Sequence, residues 1–280
     1  MLPYSKPVRI SRFVLYAVLS IVAFLYTYPF LWMVSGSFKK PGEFYEQGLR
    51  LVVDNPNWQN FLSVWNTVGF DIYFRNTVVV AVVTTLLVLL FTSMAGYVIA
   101  RHEFPGRRLV VGCLLVTIFL PRGYTIVPIF ELIKDLGLLN TLWAVILVST
   151  GTSMVFNTFL FAGYFLTLPK ELEEAALLDG ANLPQIYGRV AIPFARPMIA
   201  TVALFEFIEH WNSFFIPLVF TLGRPDLRTL AVGMYAFVGQ HHTQWTLICA
   251  AATISLLPIA ILFMILQRQI IDGIAGAIHG

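Results

Sequence analysis

Apolar residues run nearly unbroken through six stretches of this chain, and polar residues gather between them. The stretches extend roughly from Phe13 to Val34, Thr77 to Ala100, Leu109 to Ile133, Leu142 to Leu166, Met198 to Leu222 and Thr246 to Leu266. Each is close to the ~20 residues that carry a helix across the hydrocarbon core of a bilayer. The pattern predicts an all-α polytopic membrane protein with six transmembrane helices. It divides the chain into an N-terminal segment (1–12), a first helix (13–34), a long external segment (35–75), a core of helices two to six (76–267) and a tail (268–280). The core is interrupted by one extended polar loop at 167–197.

Composition agrees. Of the 280 residues, 58% are apolar and 12% charged, which excludes an ordinary soluble domain. Lys6, Arg9 and Arg12 precede the first apolar stretch as they would in a secretory signal. That stretch is longer than the roughly 7–15 apolar residues of a signal and has no convincing small-residue cleavage site, so an uncleaved first helix is expected.

Lysine and arginine are retained on the cytoplasmic side of short loops. Lys6, Arg9, Arg12, Arg101, Arg107, Arg108, Lys170, Arg189, Arg196 and Arg268 all fall on one side of the six-helix scheme. The other side holds Lys134, Arg224, Arg228 and a segment of mixed charge. Both termini and the 167–197 loop are therefore expected in the cytoplasm. The small positive balance is a topology signal, and with no basic stripe interleaved with aromatics, no nucleic acid is expected. Cys113 and Cys249 fall inside predicted spans as small packing residues. No phosphate-binding G-x-x-x-x-G-K-[ST] loop, zinc motif or nucleophile elbow occurs, so no metal, cofactor or catalytic group is expected in this chain. His241 and His242 read as a solvated loop pair.

The polar loop carries the most information. Pro169 stands near a helix start, and Glu171, Glu173 and Glu174 fill the first turn, where the helix dipole favours carboxylates. Ala175, Ala176 and Leu178 give a small, smooth face before Gly180 ends the helix. A short amphipathic helix between two spans suits docking to another protein. Glu174-Ala175-Ala176, then Asp179-Gly180, then Val190-Ala191-Ile192-Pro193 resemble the EAA signature of importer-type ABC transporter permeases.

Further segments are similar to the carbohydrate-importing group of that family, the maltose-type G subunits. They are Asn57 to Phe61, Ala100 to Arg108, Leu136 to Thr141, Trp211 to Phe214 and the glycine-spaced ending from Gln267 to Gly280. Ser213 stands where the group commonly has an acidic residue, and His279 where lysine is common. The resemblance implies a type I importer fold in a bacterial or archaeal cytoplasmic membrane. It implies three partners: a second, related permease, a pair of ATPase subunits that bind ATP and magnesium, and an external solute-binding protein. It also implies that Glu174, Ala175, Ala176, Asp179, Gly180 and Pro193 couple the permease to the ATPase, and that the solute is a carbohydrate or polyol derivative.

Ionisable groups inside spans are costly and so are candidates for the solute path. Arg122, in Leu120-Pro121-Arg122-Gly123, lies where two prolines and a glycine predict a broken helix. It could contact ligand, or pair with Glu206 or Glu209. Glu206, Glu209 and His210 are spaced to share one face of the fifth span, and a polar seam towards the partner permease or a cavity wall is expected there. Trp211, Asn212, Phe214 and Phe215 could stack on a sugar or pack against neighbouring helices. Thr150, Thr152, Ser153 and Asn157 read as interhelical hydrogen-bonding groups or path lining. The competing reading is a proton-coupled secondary transporter using Arg122 with Glu206 or Glu209, but it leaves the EAA-like loop without a purpose and expects inverted repeats, which are not visible.

Overall fold

A computed structural model describes residues 9–67, 69–119, 124–235 and 244–279. The chain divides into two compact units, 1–68 with 236–256 and 69–235 with 257–280. Arg122, His241 and His242 lie outside the described residues, as do the side chains of the tail from residue 270.

The first unit begins with α1 (Arg9–Ser37). Its apolar window has no buried residue, and burial within the chain is confined to its end, at Ser35, Gly36 and Ser37. Two short helices follow, α2 (Pro41–Glu46) and α3 (Gln59–Thr67). Pro41 occupies the first turn of α2, where its missing N–H costs nothing. Glu43 reaches back to the Lys40 amide at 3.1 Å. Buried Asn60 donates to the carbonyls of Ser37 and Lys39, both at 2.8 Å, which fixes α3 to the end of α1.

The second unit is built on α4 (Phe70–Arg101), α7 (Leu142–Thr167) and α11 (Arg196–Trp211). The face that α4 buries carries Thr77, Ala81, Thr84, Val88, Thr92, Gly96 and Ile99, a helical spacing of small and β-branched residues that lets backbones approach. Contact is tightest at Gly96, where an added Cβ would stand 2.6 Å from the Phe161 Cβ and 2.9 Å from the Ala162 nitrogen. The Thr92 hydroxyl donates to the carbonyl one turn back, so burial leaves it satisfied. One apolar cluster gathers Val80, Ile133, Val145, Ile146 and Phe220, and another Tyr97, Phe161, Phe165, Ala195 and Val202.

Among the described residues, four helices are long and apolar enough to cross a membrane: α1, α4, α7 and α14 (Trp245–His279). The other two predicted spans are not single helices. The third consists of α5 (Arg107–Ile118) and α6 (Ile126–Asp135). Pro128 sits in the first turn of α6, where proline is tolerated. The fifth stops at Trp211, where the Asn212 side chain donates to the Ile208 carbonyl at 2.8 Å, and resumes only as α12 (Phe215–Phe220) with Pro217 in its first turn. The second span starts earlier than expected, because Gly69 takes a left-handed φ of 67° and releases Phe70 into helix.

The connection between α12 and the next helix is held by side chains of α4. Asn76 donates to the carbonyls of Asp226 and Arg228, at 2.9 and 3.1 Å, and the Thr77 hydroxyl accepts from the Leu230 amide at 2.7 Å. Those bonds set the start of α13 (Leu230–Tyr235).

Candidate functional site

The polar loop folds into α8 (Glu171–Leu178), α9 (Leu183–Ile186), a π-helical turn at Tyr187–Ala191 and α10 (Ile192–Phe194). The path from Leu183 to Phe194 meets α11 at 75°. Pro193 and Pro197 flank this bend and each removes a backbone donor. α8 ends as its sequence predicts. Gly180 adopts φ 80°, and the amides of Gly180 and Ala181 close on the carbonyls of Leu177 and Ala176. Asn182 and Gln185 then form a reciprocal capping box that starts α9.

One side of α8 is held by the bundle. The Arg101 guanidinium, on a side chain 4% exposed at the end of α4, stands 3.1 Å from a carboxylate oxygen of Glu173, whose side chain is 18% exposed. The contact through Nε is a charge contact without an aligned hydrogen bond. Arg101 also donates from Nη2 to the Leu168 carbonyl at 2.5 Å, just before α8. The Tyr97 hydroxyl faces the same carboxylate, and its ring lies 5.4 Å from that of Tyr187. Tyr187 pairs with the Ser93 hydroxyl at 2.8 Å, and Tyr164 donates to the Phe194 carbonyl at 3.0 Å. Both limbs of the loop are thereby tied to α4 and α7.

The other side of α8 is open. Glu174, Ala175, Asp179 and Gly180 are exposed, Ala176 and Pro193 are half-buried, and Leu178 is 90% exposed. A leucine so displayed beside small residues and two carboxylates leaves an exposed, partly apolar face that no described residue covers. The sequence pattern predicted this short helix and its end at Gly180 but missed its anchors. Arg101 was read only as a topology charge and Glu173 only as a first-turn acid. The available signal was a single arginine immediately after a long apolar helix, facing a loop that carries three carboxylates in one turn.

The candidates within the spans fall differently. Glu206 is buried and accepts from the Asn157 amide at 2.7 Å and stands 3.0 Å from His210 Nε2. Asn157 also donates to the Ser153 carbonyl. This polar seam therefore joins α11 to α7 inside one chain, correcting the expectation that it faces a partner or a cavity. Glu209 is exposed and does not share the buried side with Glu206 and His210, because the third position along a helix is rotated away from the fourth when the buried face is narrow. Trp211 is buried, stacked on Phe207 at 5.3 Å and edge-on to Phe74 at 5.6 Å, which is aromatic packing. Asn212 is exposed. Among the described residues no cluster of His, Cys, Asp and Glu could hold a metal ion.

A bundle of long apolar helices with a short polar helix anchored at one end is the build of a membrane-spanning protein. Residues 4–275 match the family described as the binding-protein-dependent transport system inner membrane component, and the chain belongs to that family. It is a multi-pass permease subunit of an ABC importer and has no catalytic role of its own. It is 34% identical to the probable ABC transporter permease protein YurM of Bacillus subtilis, over 90% of this chain and 84% of that one. It is 33% identical to the diacetylchitobiose uptake permease NgcG of Streptomyces coelicolor, over 88% and 82%. The fold is similar to a chain of a bacterial ABC transporter that imports the acidic polysaccharide alginate. That likeness has a TM-score of 0.79 and 25% identity and covers 96% of this chain and 99% of the other.

Proposed function

We propose that this permease carries an oligosaccharide or a related polyol derivative across the membrane by alternating access. It does so beside a second, related permease, driven by two ATPase subunits and supplied by an external binding protein. The observation that carries the reading is the geometry of α8: one side fixed to α4 through Arg101 and Glu173, the other presenting Glu174, Ala175 and Leu178 outward. A helix held in this way transmits displacement, because an ATPase that moves it must also move the end of α4. ATP and magnesium belong to the partner subunits.

The carbohydrate class is supported by the similarity to NgcG and to the alginate importer, whose names give a neutral and an acidic saccharide. Orientation is supported by the two ends of the second unit. Arg101, Arg107, Lys170, Arg189 and Arg196 lie at one end, with α8. The sparser pair Arg224 and Arg228 lies at the other, where Asn76 and Thr77 hold the 226–230 turn. The basic end of this unit is assigned to the cytoplasm, and the Lys6, Arg9 and Arg12 charges before the first span favour the same side for the N-terminus.

The test is purification of the complex with Leu178→Asp. A single charge on the docking face should abolish copurification of the ATPase while the permease still inserts. Full retention of a saccharide-stimulated ATPase would overturn the coupling role. Uptake of neutral and acidic oligosaccharides by the intact complex tests the solute class separately.

A further inference from the structure

Four consecutive carbonyls after α2 are each occupied by a side chain. Trp32 Nε1 donates to Gly48 at 3.0 Å, Tyr28 Oη to Leu49 at 2.6 Å, Lys39 Nζ to Arg50 at 2.6 Å and Ser35 Oγ to Leu51 at 2.7 Å. Tyr28, Trp32 and Ser35 are successive turns along one side of α1. Segment 48–51 is irregular backbone, so these bonds replace the ladder that a strand or helix would supply. They also fix its height. About 20 apolar residues cross the hydrocarbon, so a span beginning after Arg12 reaches its far boundary near Trp32. Tyr28 lies four residues short of that point, about 6 Å deeper along the axis, and helical side chains lean further towards the N-terminus.

The chain therefore turns back at the end of α1 and descends beside it to the level of the interfacial tyrosine and tryptophan. At that level Leu49 is 69% exposed, and Tyr45 and Val52 are 67% and 62% exposed. The Arg50 charge is neutralised locally by Asp54, which it meets through both terminal nitrogens, and Glu46 stays exposed beside Tyr45 at the headgroup end of the segment. By Asn57 the chain has climbed again, because the Asn57 amide donates to the Phe38 carbonyl at 2.7 Å, beyond the end of α1.

We propose that residues 45–52 form a hydrophobic hook that enters the lipid boundary beside α1, with Leu49 and Val52 against acyl chains and Tyr45 among the headgroups. Filled carbonyls are what such a place requires, because water is scarce there and an unpaired carbonyl is costly. Tyr28, Trp32 and Ser35 are the residues that hold the hook down.

The experiment uses the whole transporter in phosphatidylcholine vesicles, with Cys113→Ser and Cys249→Ala and a fluorophore on Leu49→Cys or, as control, on Asn55→Cys. Brominated lipid should quench the Leu49 probe several-fold more than the control, and aqueous iodide should show the opposite order. Equal access to iodide at both sites overturns the proposal in favour of a water-exposed loop. Protection from both quenchers overturns it in favour of a covering protein, either the second permease or the binding protein. A diazirine phospholipid on the unmodified chain gives a second readout that needs no substitution. Adducts between residues 45 and 52 are expected, and adducts on α1 alone would refute the hook.

Discussion

Arg101 and Glu173 stand 3.1 Å apart, joining the last residue of α4 to the first turn of α8. Removing one member of a nearly buried ion pair strands the other, at a cost of about 3–5 kcal/mol, and the lower end applies because Glu173 keeps partial access to water. Arg101→Ala also strips the Leu168 carbonyl of its donor. Uptake by this variant should fall at least tenfold while insertion persists. Glu173→Ala should be milder, and Arg101→Ala with Glu173→Ala should lose less than the sum of the two. Strict additivity in transport rate and complex melting temperature would show that the pair does not act as a unit.

Gly180 is needed for its backbone. A Cβ there meets nothing within 4 Å, yet φ is 80°, a conformation costing other residues about 1–2 kcal/mol. Gly180→Ala should therefore loosen the end of α8 and reduce uptake several-fold, whereas Gly180→Asn should retain most of it, because asparagine tolerates that region. Equal activity in both variants would remove backbone strain as the explanation.

Gly96 is needed for space. A methyl group there would meet Phe161 and the backbone of residues 158 and 162 at under 3.0 Å, so Gly96→Ala should separate α4 from α7. Overpacking of this kind costs about 1–3 kcal/mol. The checking measurement is thermal unfolding of the purified complex, in which a clear loss of stability is expected.

The Asn157 to Glu206 bond should be structural. Glu206→Leu leaves the buried Asn157 amide with only the Ser153 carbonyl, and a single interhelical bond in a membrane contributes about 0.6–1.7 kcal/mol. Stability should drop, and adding Asn157→Leu should recover part of it. A loss of saccharide uptake at unchanged stability, unrelieved by the second substitution, would instead return Glu206 to the solute path.

Asp226 gives a pH prediction at the other end of the bundle. A hydrogen bond from Arg224 holds its carboxyl below the usual carboxylate range. A depressed carboxylate contributes stability above its unfolded pKa, and that contribution is lost as pH falls through the lower folded value. Between pH 5 and 8 the group stays ionised in both states. The parent should thus be the more stable by a constant margin across that window, its profile parallel to that of Asp226→Asn, and the two should converge only in stronger acid. The Asn76 bonds accept no help from the carboxyl, since they end on backbone carbonyls, so the turn itself should survive.

The apolar stretches of this chain determine by themselves that it crosses a membrane, because hydrocarbon admits a helix only when its side chains are apolar along about 20 residues. The short helix α8 was legible for a similarly local reason: proline at its start, carboxylates in its first turn and Gly180 at its end are all set by nearest-neighbour backbone chemistry. Where the third and fifth spans break was only partly legible. Prolines and glycine marked the third, but the fifth ends at Asn212 through a bond to its own helix that hydropathy does not register. Which polar residues meet was decided by tertiary structure alone. Arg101 finds Glu173 across 72 positions of chain, and Glu206 finds Asn157 across 49, through the packing of α4, α7 and α11. The same three helices turn Glu206 and His210 inward and leave Glu209 outside. One face of a helix becomes buried only when another helix lies against it, and the period of a single sequence does not say which neighbour that will be.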